Sequence, residues 1–520
     1  AAALQSIQFT EVSSNFIALK GTGGAERSEI ATVTFTVFDE LGSPVSDTLV
    51  NFELTTDVGG IEIRPESQSK TDENGRVDVI VSAGRVAIPV RVIATLDEFP
   101  TISTISGSLS ISTGVTDYNS FSLSATTLNP DTWQRDGIEV GITARLADHF
   151  NNPVPDGTIV QFTTEFGAIA PNCLTVNGAC SVNWRSQNPR LPDPAYRDDS
   201  AVIRTIQNTI CRNTDGTDNG MSQAGLPCFY NNHAEGRRFG GLGSVYGNRI
   251  SIFAHVLGEE SFSDSNGNGQ YDPAESFVDA NNNEKYDIGE NYTDSNNNGK
   301  FDAGESFTDL SEAFRDDNED GIYGNRLDNG DLAGSKQNFS EQCDGVTCFE
   351  SGGDNEFSVD LNGNQEFDLG NKIYNGVLCT SERAALEKCS RKLVSVSKNL
   401  TILQAGNGIN GGLIQLGSVL NVPANYGQTV DLKTGPKSIT LFVSDNFNGY
   451  LPSGTTITFD TGNGEIVGPS ECTVVNTSAF GFNSCSVSLK ADDEASSGSM
   501  TATVLTEAGD QRTFSVIVND

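Results

Sequence analysis

Apolar and polar residues alternate along this chain in short stretches that recur three times in the same order. Ala31, Val33, Phe35 and Val37 alternate with Thr; Ile138, Val140, Ile142, Ala144 and Leu146 form the second stretch, and Ile439, Leu441 and Val443 the third. A period of two puts one set of side chains on a buried face and the other in solvent, so each stretch predicts a strand. Each strand ends on an acidic turn: Asp39-Glu-Leu-Gly-Ser-Pro44-Val45, Asp148-His-Phe-Asn-Asn-Pro153-Val154 and Asp445-Asn-Phe-Asn-Gly-Tyr-Leu451-Pro452. A second strand follows each time (Val50-Asn-Phe52, Val160-Gln-Phe162, Ile457-Thr-Phe459), then Gly60-Ile61, Gly167-Ala-Ile169 and Gly464-Glu-Ile466. Asp72-Glu-Asn74-Gly75 ahead of Val77, Val79 and Val81 predicts a further hairpin, as does Asn177-Gly178 ahead of Cys180, Val182 and Trp184. Short alternating strands between frequent turns predict antiparallel β-sandwiches.

The combination D-x-x-G/N-x-P-V, V-x-F, G-x-I and T-D-x-x-G-x-V-x-V resembles the bacterial immunoglobulin-like domain of invasin- and intimin-type surface proteins. The resemblance covers residues 1–115, the framework of 116–404, and 405–520. The first copy matches best, and the third lacks the Pro-Val step. It implies an all-β chain of three tandem immunoglobulin-like sandwiches, serving as a stalk or adhesin at a cell surface. A sandwich by itself implies no activity.

The middle copy is interrupted. After Trp184 comes a Pro-rich and then Gly-rich stretch, 187–248, and long loops on rigid scaffolds are where binding is often found. Ile250-Ser-Ile-Phe-Ala-His-Val256 reads as the next strand, and Leu393–Leu403 as the one that should pair with it. Residues 258–391 therefore read as an insertion between the last two strands.

That insertion begins with a regular array. Asp264, Asn266, Asn268, Gln270, Asp272 and Glu275 stand at positions 1, 3, 5, 7, 9 and 12 of a calcium loop, with Gly269 at position six. Asp279, Asn281, Asn283, Lys285, Asp287 and Glu290 repeat it, as do Asp294, Asn296, Asn298, Lys300, Asp302 and Glu305. Calcium takes six to eight oxygens, and alternate side chains of a tight loop supply them. Position seven offers its backbone carbonyl, and the last Glu is expected to close its own loop with both oxygens. Glycine at position six permits the sharp turn; Glu284 replaces it in the second loop. Tyr271, Tyr286 and Phe301 at position eight are expected to pack the loops together. The loops recur every 15 residues, which leaves no room for helix pairs, so a compact array resembling dockerin or thrombospondin type-3 loops is expected. Asp309 opens a fourth period; weaker matches lie at Asp316, Asn318 and Asp320, and at Asp360, Asn362, Asn364 and Asp368. The expected cofactor is Ca²⁺, at three sites and up to five.

Charge sharpens this reading. The 520 residues hold 69 acidic and 32 basic side chains, a net charge of −37. Residues 258–331 alone hold 20 acidic against 4 basic, so much of the imbalance points to a cation. Such a charge disfavours nucleic acid and anionic membranes as partners. No apolar run approaches the ~20 residues of a membrane span. His149, His233 and His255 fall on different elements, and GxSxG, HExxH and P-loop motifs are absent, so no enzyme is expected.

The ten cysteines include no CxxC, which favours local disulfides in an exported protein: Cys173/Cys180, Cys211/Cys228 and Cys472/Cys485. Spacing also matches Cys343 with Cys348 and Cys379 with Cys389, but a short capped helix over 381–388 is expected to hold Cys379 and Cys389 beyond the ~7 Å limit, so the alternative is that those two pair with Cys343 and Cys348. The start at Ala1-Ala2-Ala3-Leu4 reads as a chain whose export signal has been removed, or as a piece of a longer one. The chain is thus expected outside the cell or on its surface. Its expected partner is itself, in a filament that could use Leu4–Phe9 as a donated strand, or a surface glycan or protein bound by the 187–248 loop.

Overall fold

The computed structural model describes all residues except 1–3, 25–26, 189–247, 284, 295–297, 318, 320, 322, 324–339, 344–347, 352–355, 407, 416–417, 422–428, 446–448, 480–482 and 494–495. The chain is all-β, three immunoglobulin-like sandwiches in tandem. In the first, the sheet Leu4–Val12, Ile30–Asp39, Arg76–Ser82, Glu62–Arg64 faces the sheet Ser103–Ile105, Val92–Leu96, Leu49–Leu54, Gln68–Lys70. The alternating residues meet between them: Val33, Phe35, Val37, Val50, Ala94 and Leu96 are all fully buried. The second and third sandwiches repeat this plan around Ile142, Ala144, Val160 and Trp184, and around Ile439, Leu441, Val443 and Ala502. Ile138 is an exception, since its strand begins at Glu139 and its side chain is exposed. No helix among the described residues is long and apolar enough to cross a membrane.

The repeated Asp caps its own turn. Asp39 Oδ1 accepts the N–H groups of Leu41 and Ser43, both at 2.8 Å. Asp148 Oδ1 accepts those of Phe150 and Asn152 at 3.0 and 2.8 Å, and Asp445 Oδ1 that of Gly449 at 2.9 Å. A short carboxylate does this because it reaches the backbone two to four residues on. The repeated Gly is needed for its backbone: Gly60, Gly167 and Gly464 have φ of 81°, 83° and 72°. A Cβ on Gly167 would lie 2.5 Å from the Trp184 indole nitrogen, which donates to Phe166 O at 2.9 Å. Gly167→Ala is expected to destabilise the second sandwich by roughly 2–4 kcal/mol, through left-handed strain plus overpacking. A lower denaturation midpoint for that sandwich would show it; an unchanged midpoint would mean the indole can move aside.

One expectation is corrected. The helix spans only Ser381–Ala385, capped by Thr380 Oγ1 accepting from Arg383 N. Glu387 then turns left-handed (φ 57°) and Lys388 N returns to Arg383 O, so Cys379 and Cys389 come to a Cα separation of 5.9 Å and are disulfide-bonded to each other. Cys173–Cys180 and Cys472–Cys485 pair locally as expected. Cys343 and Cys348 face each other in register on a two-stranded ribbon, and Cys211, Cys228 and His233 lie outside the described residues. The strand expected as a donor is used within its own sandwich: Leu4–Val12 pairs with Ile30–Asp39, and Ile7 is buried against the core. Donation to a neighbour would require it to leave that pairing.

Candidate metal centre

The insertion starts and ends at one place. Arg249–Glu259 pairs with Val394–Leu403 from Arg249↔Leu403 to Gly258↔Val394, so the segment between them leaves and rejoins adjacent strands at the same level. Within it the loops share one hydrogen-bond plan. The first Asp accepts the N–H of position six: Gly269 to Asp264 at 2.8 Å, Gly299 to Asp294 at 2.8 Å, Gly321 to Asp316 at 3.0 Å and Gln365 to Asp360 at 2.8 Å. Position six is left-handed in these four, with φ from 66° to 77°. The amide oxygen at position five accepts the N–H of position seven: Asn268 from Gln270, Asn283 from Lys285, Asn298 from Lys300 and Asn364 from Glu366, at 2.7–2.9 Å. Side chains three, five and nine converge: Asn266 and Asn268 both donate to Asp272 Oδ2 at 2.6 Å. Asn281 and Asn283 do the same to Asp287, Asn298 to Asp302, and Asn362 and Asn364 to Asp368. Asn296, Asn318, Asp320 and Glu284 lie outside the described residues.

The closing glutamates differ from expectation. Glu290 does close the loop it ends, accepting from Ala280 and Asp287 N at 2.8 Å each. Glu305 instead closes the loop of Asp264, accepting from Ser265 N at 2.8 Å and Asp272 N at 3.0 Å. Glu275 accepts from Asp302 N at 3.2 Å, in the loop of Asp294. The loops are in fact paired. Antiparallel bridges join Phe262 to Phe307, Phe277 to Tyr292 and Phe314 to Ser358, each residue standing two before a loop's first Asp. The Glu four before one loop thereby reaches the other member of its pair. Glu312 accordingly closes the loop of Asp360 through Leu361 N at 3.2 Å and Asp368 N at 3.4 Å, and Glu356 accepts from Asp317 N at 2.6 Å.

Asp309 heads a sixth loop that is split in sequence. Lys372 N donates to Asp309 Oδ2 at 2.9 Å and Ile373 N to Asn371 Oδ1 at 3.0 Å, the bonds of positions six and seven elsewhere. Lys372 is left-handed at φ 64°. Glu260 closes this loop, accepting from Leu310 N at 3.0 Å and Asn375 N at 2.7 Å. The loops of Asp316 and Asp360 are thus spliced between its second residue and its fifth. The expected ligands omit Glu260, Glu312, Glu356, Asn371 and Asn375, yet a signal is present. Glu260-Ser-Phe-Ser-Asp264 recurs as Glu275-Ser-Phe-Val-Asp279, Glu290-Asn-Tyr-Thr-Asp294, Glu305-Ser-Phe-Thr-Asp309, Glu312-Ala-Phe-Arg-Asp316 and, with its aromatic shifted, Glu356-Phe-Ser-Val-Asp360.

Aromatic clusters hold each pair together. Tyr286 and Phe301, both at position eight, stack at 4.0 Å with Phe277 and Tyr292 edge-on. Tyr323 and Phe367 stack at 3.9 Å beside Phe314. Tyr271 stacks at 4.6 Å on Tyr374, which takes position eight of the split loop, with Phe262 and Phe307 at their edges. Such offset and edge contacts are worth about 0.5–1.5 kcal/mol each beyond burial.

Carboxylates, amides and a backbone carbonyl make up the loop donors, an oxygen set suited to a hard cation. Among the described residues no three His, Cys, Asp or Glu side chains converge closely enough to hold a metal by themselves, so amide and carbonyl oxygens must complete any shell. Burial pushes the Glu260 carboxyl up to about 7 and that of its fully buried neighbour Glu259 to about 8. The Gln365 N–H holds exposed Asp360 below the usual carboxylate range. Among the described histidines, His149 stacks on Phe262 at 4.2 Å with its Nδ1 3.3 Å from Asp117 Oδ1, and His255 lies buried beside Ser395 Oγ at 3.3 Å.

No family model and no curated protein matches the chain. Among solved structures it is similar to the D0–D1 domain of intimin, at 17% identity over 34% of this chain and 85% of that one, with a TM-score of 0.18. The Yersinia pseudotuberculosis adhesin InvE shows 13% identity over 36% of this chain and 53% of that one, so the match spans about half of InvE, with a TM-score of 0.17. The Escherichia coli adhesin FdeC aligns at 8% identity over 100% of this chain and 99% of that one, with a TM-score of 0.25. At such scores the fold assignment rests on the strand pairings described above.

Proposed function

We propose that this chain is a non-enzymatic structural protein of a bacterial surface, a stalk or adhesin segment whose middle domain is stabilised by calcium. The observation that carries the reading is the six-fold recurrence of one loop plan in three reciprocal pairs. In the first loop Asp264, Asn266, Asn268, Asp272 and the Gln270 carbonyl would hold the ion, with Glu305 supplied by the partner loop. The ion supplies charge neutralisation, which ties acidic segments together that otherwise repel one another. With Asn at positions three and five, each site carries modest charge, which suits an affinity on the order of 10⁻⁴–10⁻³ M, as in extracellular modules. Such sites fill outside the cell and act structurally.

The experiment is calorimetric titration of the whole chain with Ca²⁺, followed by electron microscopy with and without the ion. Saturable binding and straight particles of reproducible length in calcium are expected. Absence of saturable binding would refute the calcium reading. Ordered polymers would make the chain a filament subunit.

A further inference from the structure

The insertion lies against the seam between the first and second sandwiches. Val115, in the connection between them, is buried in the aromatic core around Phe262, Tyr271 and Tyr374. Phe150, from the turn capped by Asp148, packs against that core and also against the core of the first sandwich. Gly269, at position six of the first loop, sits directly on Phe150: a Cβ there would lie 3.3 Å from its ring. Beyond the Cys379–Cys389 disulfide, Arg391 donates to Gly21 O of the first sandwich at 2.8 Å.

The seam between the second and third sandwiches is built from the sandwiches themselves. Asn129, fully buried, donates to Leu451 O at 2.7 Å and Val475 O at 3.2 Å and accepts from Thr477 N at 3.1 Å. Asn476 Oδ1 accepts from Leu128 N at 2.6 Å, and Asn248 donates to Asp445 Oδ2 at 2.6 Å. Arg249 donates to Ser478 O at 2.7 Å while its other edge pairs with Glu319 of the Asp316 loop. Among the described residues the insertion reaches this seam through the Arg249–Glu319 ion pair, which the backbone bonds do not require.

We propose a further function for the insertion: it is a calcium-dependent brace that sets the angle of the first sandwich on the second, whereas the third is fixed on the second without it. The proposal rests on the calcium reading above. With the ion bound, the Asp264 and Asp309 loops present a rigid surface to Phe150 and Val115. Without it, clustered carboxylates repel, the loops lose order, and Phe150 loses the wall that Gly269 provides. Among the described residues the hydrogen bonds of Asn129 and Asn476 involve no loop residue, and that seam keeps its geometry.

The test uses the whole chain with spin labels introduced as non-canonical residues, so that the disulfides are untouched. Positions Leu41, Ile159 and Leu505 are exposed and stand on the three sandwiches. Pulsed distance measurements in calcium should give two narrow distributions. After chelation the 41–159 distribution should broaden while the 159–505 distribution stays narrow. Ca²⁺ calorimetry on the same sample separates the two ideas. Absence of binding heat overturns the calcium reading and the brace together; binding heat with an unchanged 41–159 distance overturns the brace alone. Broadening of both distances would overturn the assignment to one seam. Phe150→Ala should bind calcium with unchanged affinity and still broaden 41–159 in its presence; Arg391→Ala, at a half-buried site outside the hydrophobic cores, should broaden it less. A narrow distribution in both variants would overturn the brace.

Discussion

Chelating calcium is expected to make residues 258–370 the first segment cut by a protease, while the first sandwich survives intact. The segment has few apolar residues beyond its three aromatic clusters, and its first part carries 20 acidic side chains against 4 basic. Charge repulsion with little apolar burial cannot offset the entropy of ordering a long chain. Each site bound only in the folded form adds about 2.7 kcal/mol at a hundredfold excess of ion over its dissociation constant. Six such loops would make order of the insertion depend on the ion. The first sandwich has its own core, from Ile7 to Ile111, and none of the acidic loops contributes to it. Limited proteolysis with mass spectrometry of the fragments reads the result. Identical digestion with and without chelator would remove the basis for a calcium-dependent insertion.

The second large effect concerns which glutamate serves which loop. Glu305→Gln should weaken the site of Asp264 and leave that of Asp294 intact, although Glu305 ends the Asp294 loop in sequence. Glu275→Gln should do the reverse. A charged hydrogen-bonding group is worth about 1.5–3 kcal/mol, so a roughly tenfold to hundredfold loss of affinity is expected at the one site. Position-six glycines report the two loops separately, because Gly269 donates to Asp264 and Gly299 to Asp294. In selectively glycine-labelled protein, Glu305→Gln should shift the calcium titration of the Gly269 amide and spare Gly299. The opposite pattern would mean that each loop keeps its own glutamate.

These variants probe the boundary between local and distant information. Strands such as Ile30–Asp39 and Lys437–Ser444 were readable because alternation is a property of neighbours. The turn roles of Asp39, Asp148 and Asp445 were readable for the same reason, since each carboxylate caps a backbone two to four residues away. The convergence of Asn266 and Asn268 on Asp272, beside Asp264, was readable too, because those positions lie within nine residues. By contrast, Ser381–Ala385 was read too long, because the left-handed Glu387 that lets Cys379 meet Cys389 leaves no local mark. The split loop of Asp309 was read only as a lone Asp, because Asn371, Lys372 and Asn375 return to it from beyond two other loops.

By itself, then, the sequence determined three sandwiches, the insertion point between Arg249–Glu259 and Val394–Leu403, and an oxygen-rich loop repeat. Twelve-residue spacing assigned each glutamate to the loop before it. The tertiary structure assigned it through the loop after it, because the Glu and the bridging residue two places on, as in Glu305 and Phe307, lie on one extended segment. Once two such segments pair antiparallel, each carboxylate must fall beside its neighbour's loop. Which segments pair is decided by the aromatic stacking and the sheet that anchors both ends of the insertion, and neither is a property of any twelve residues.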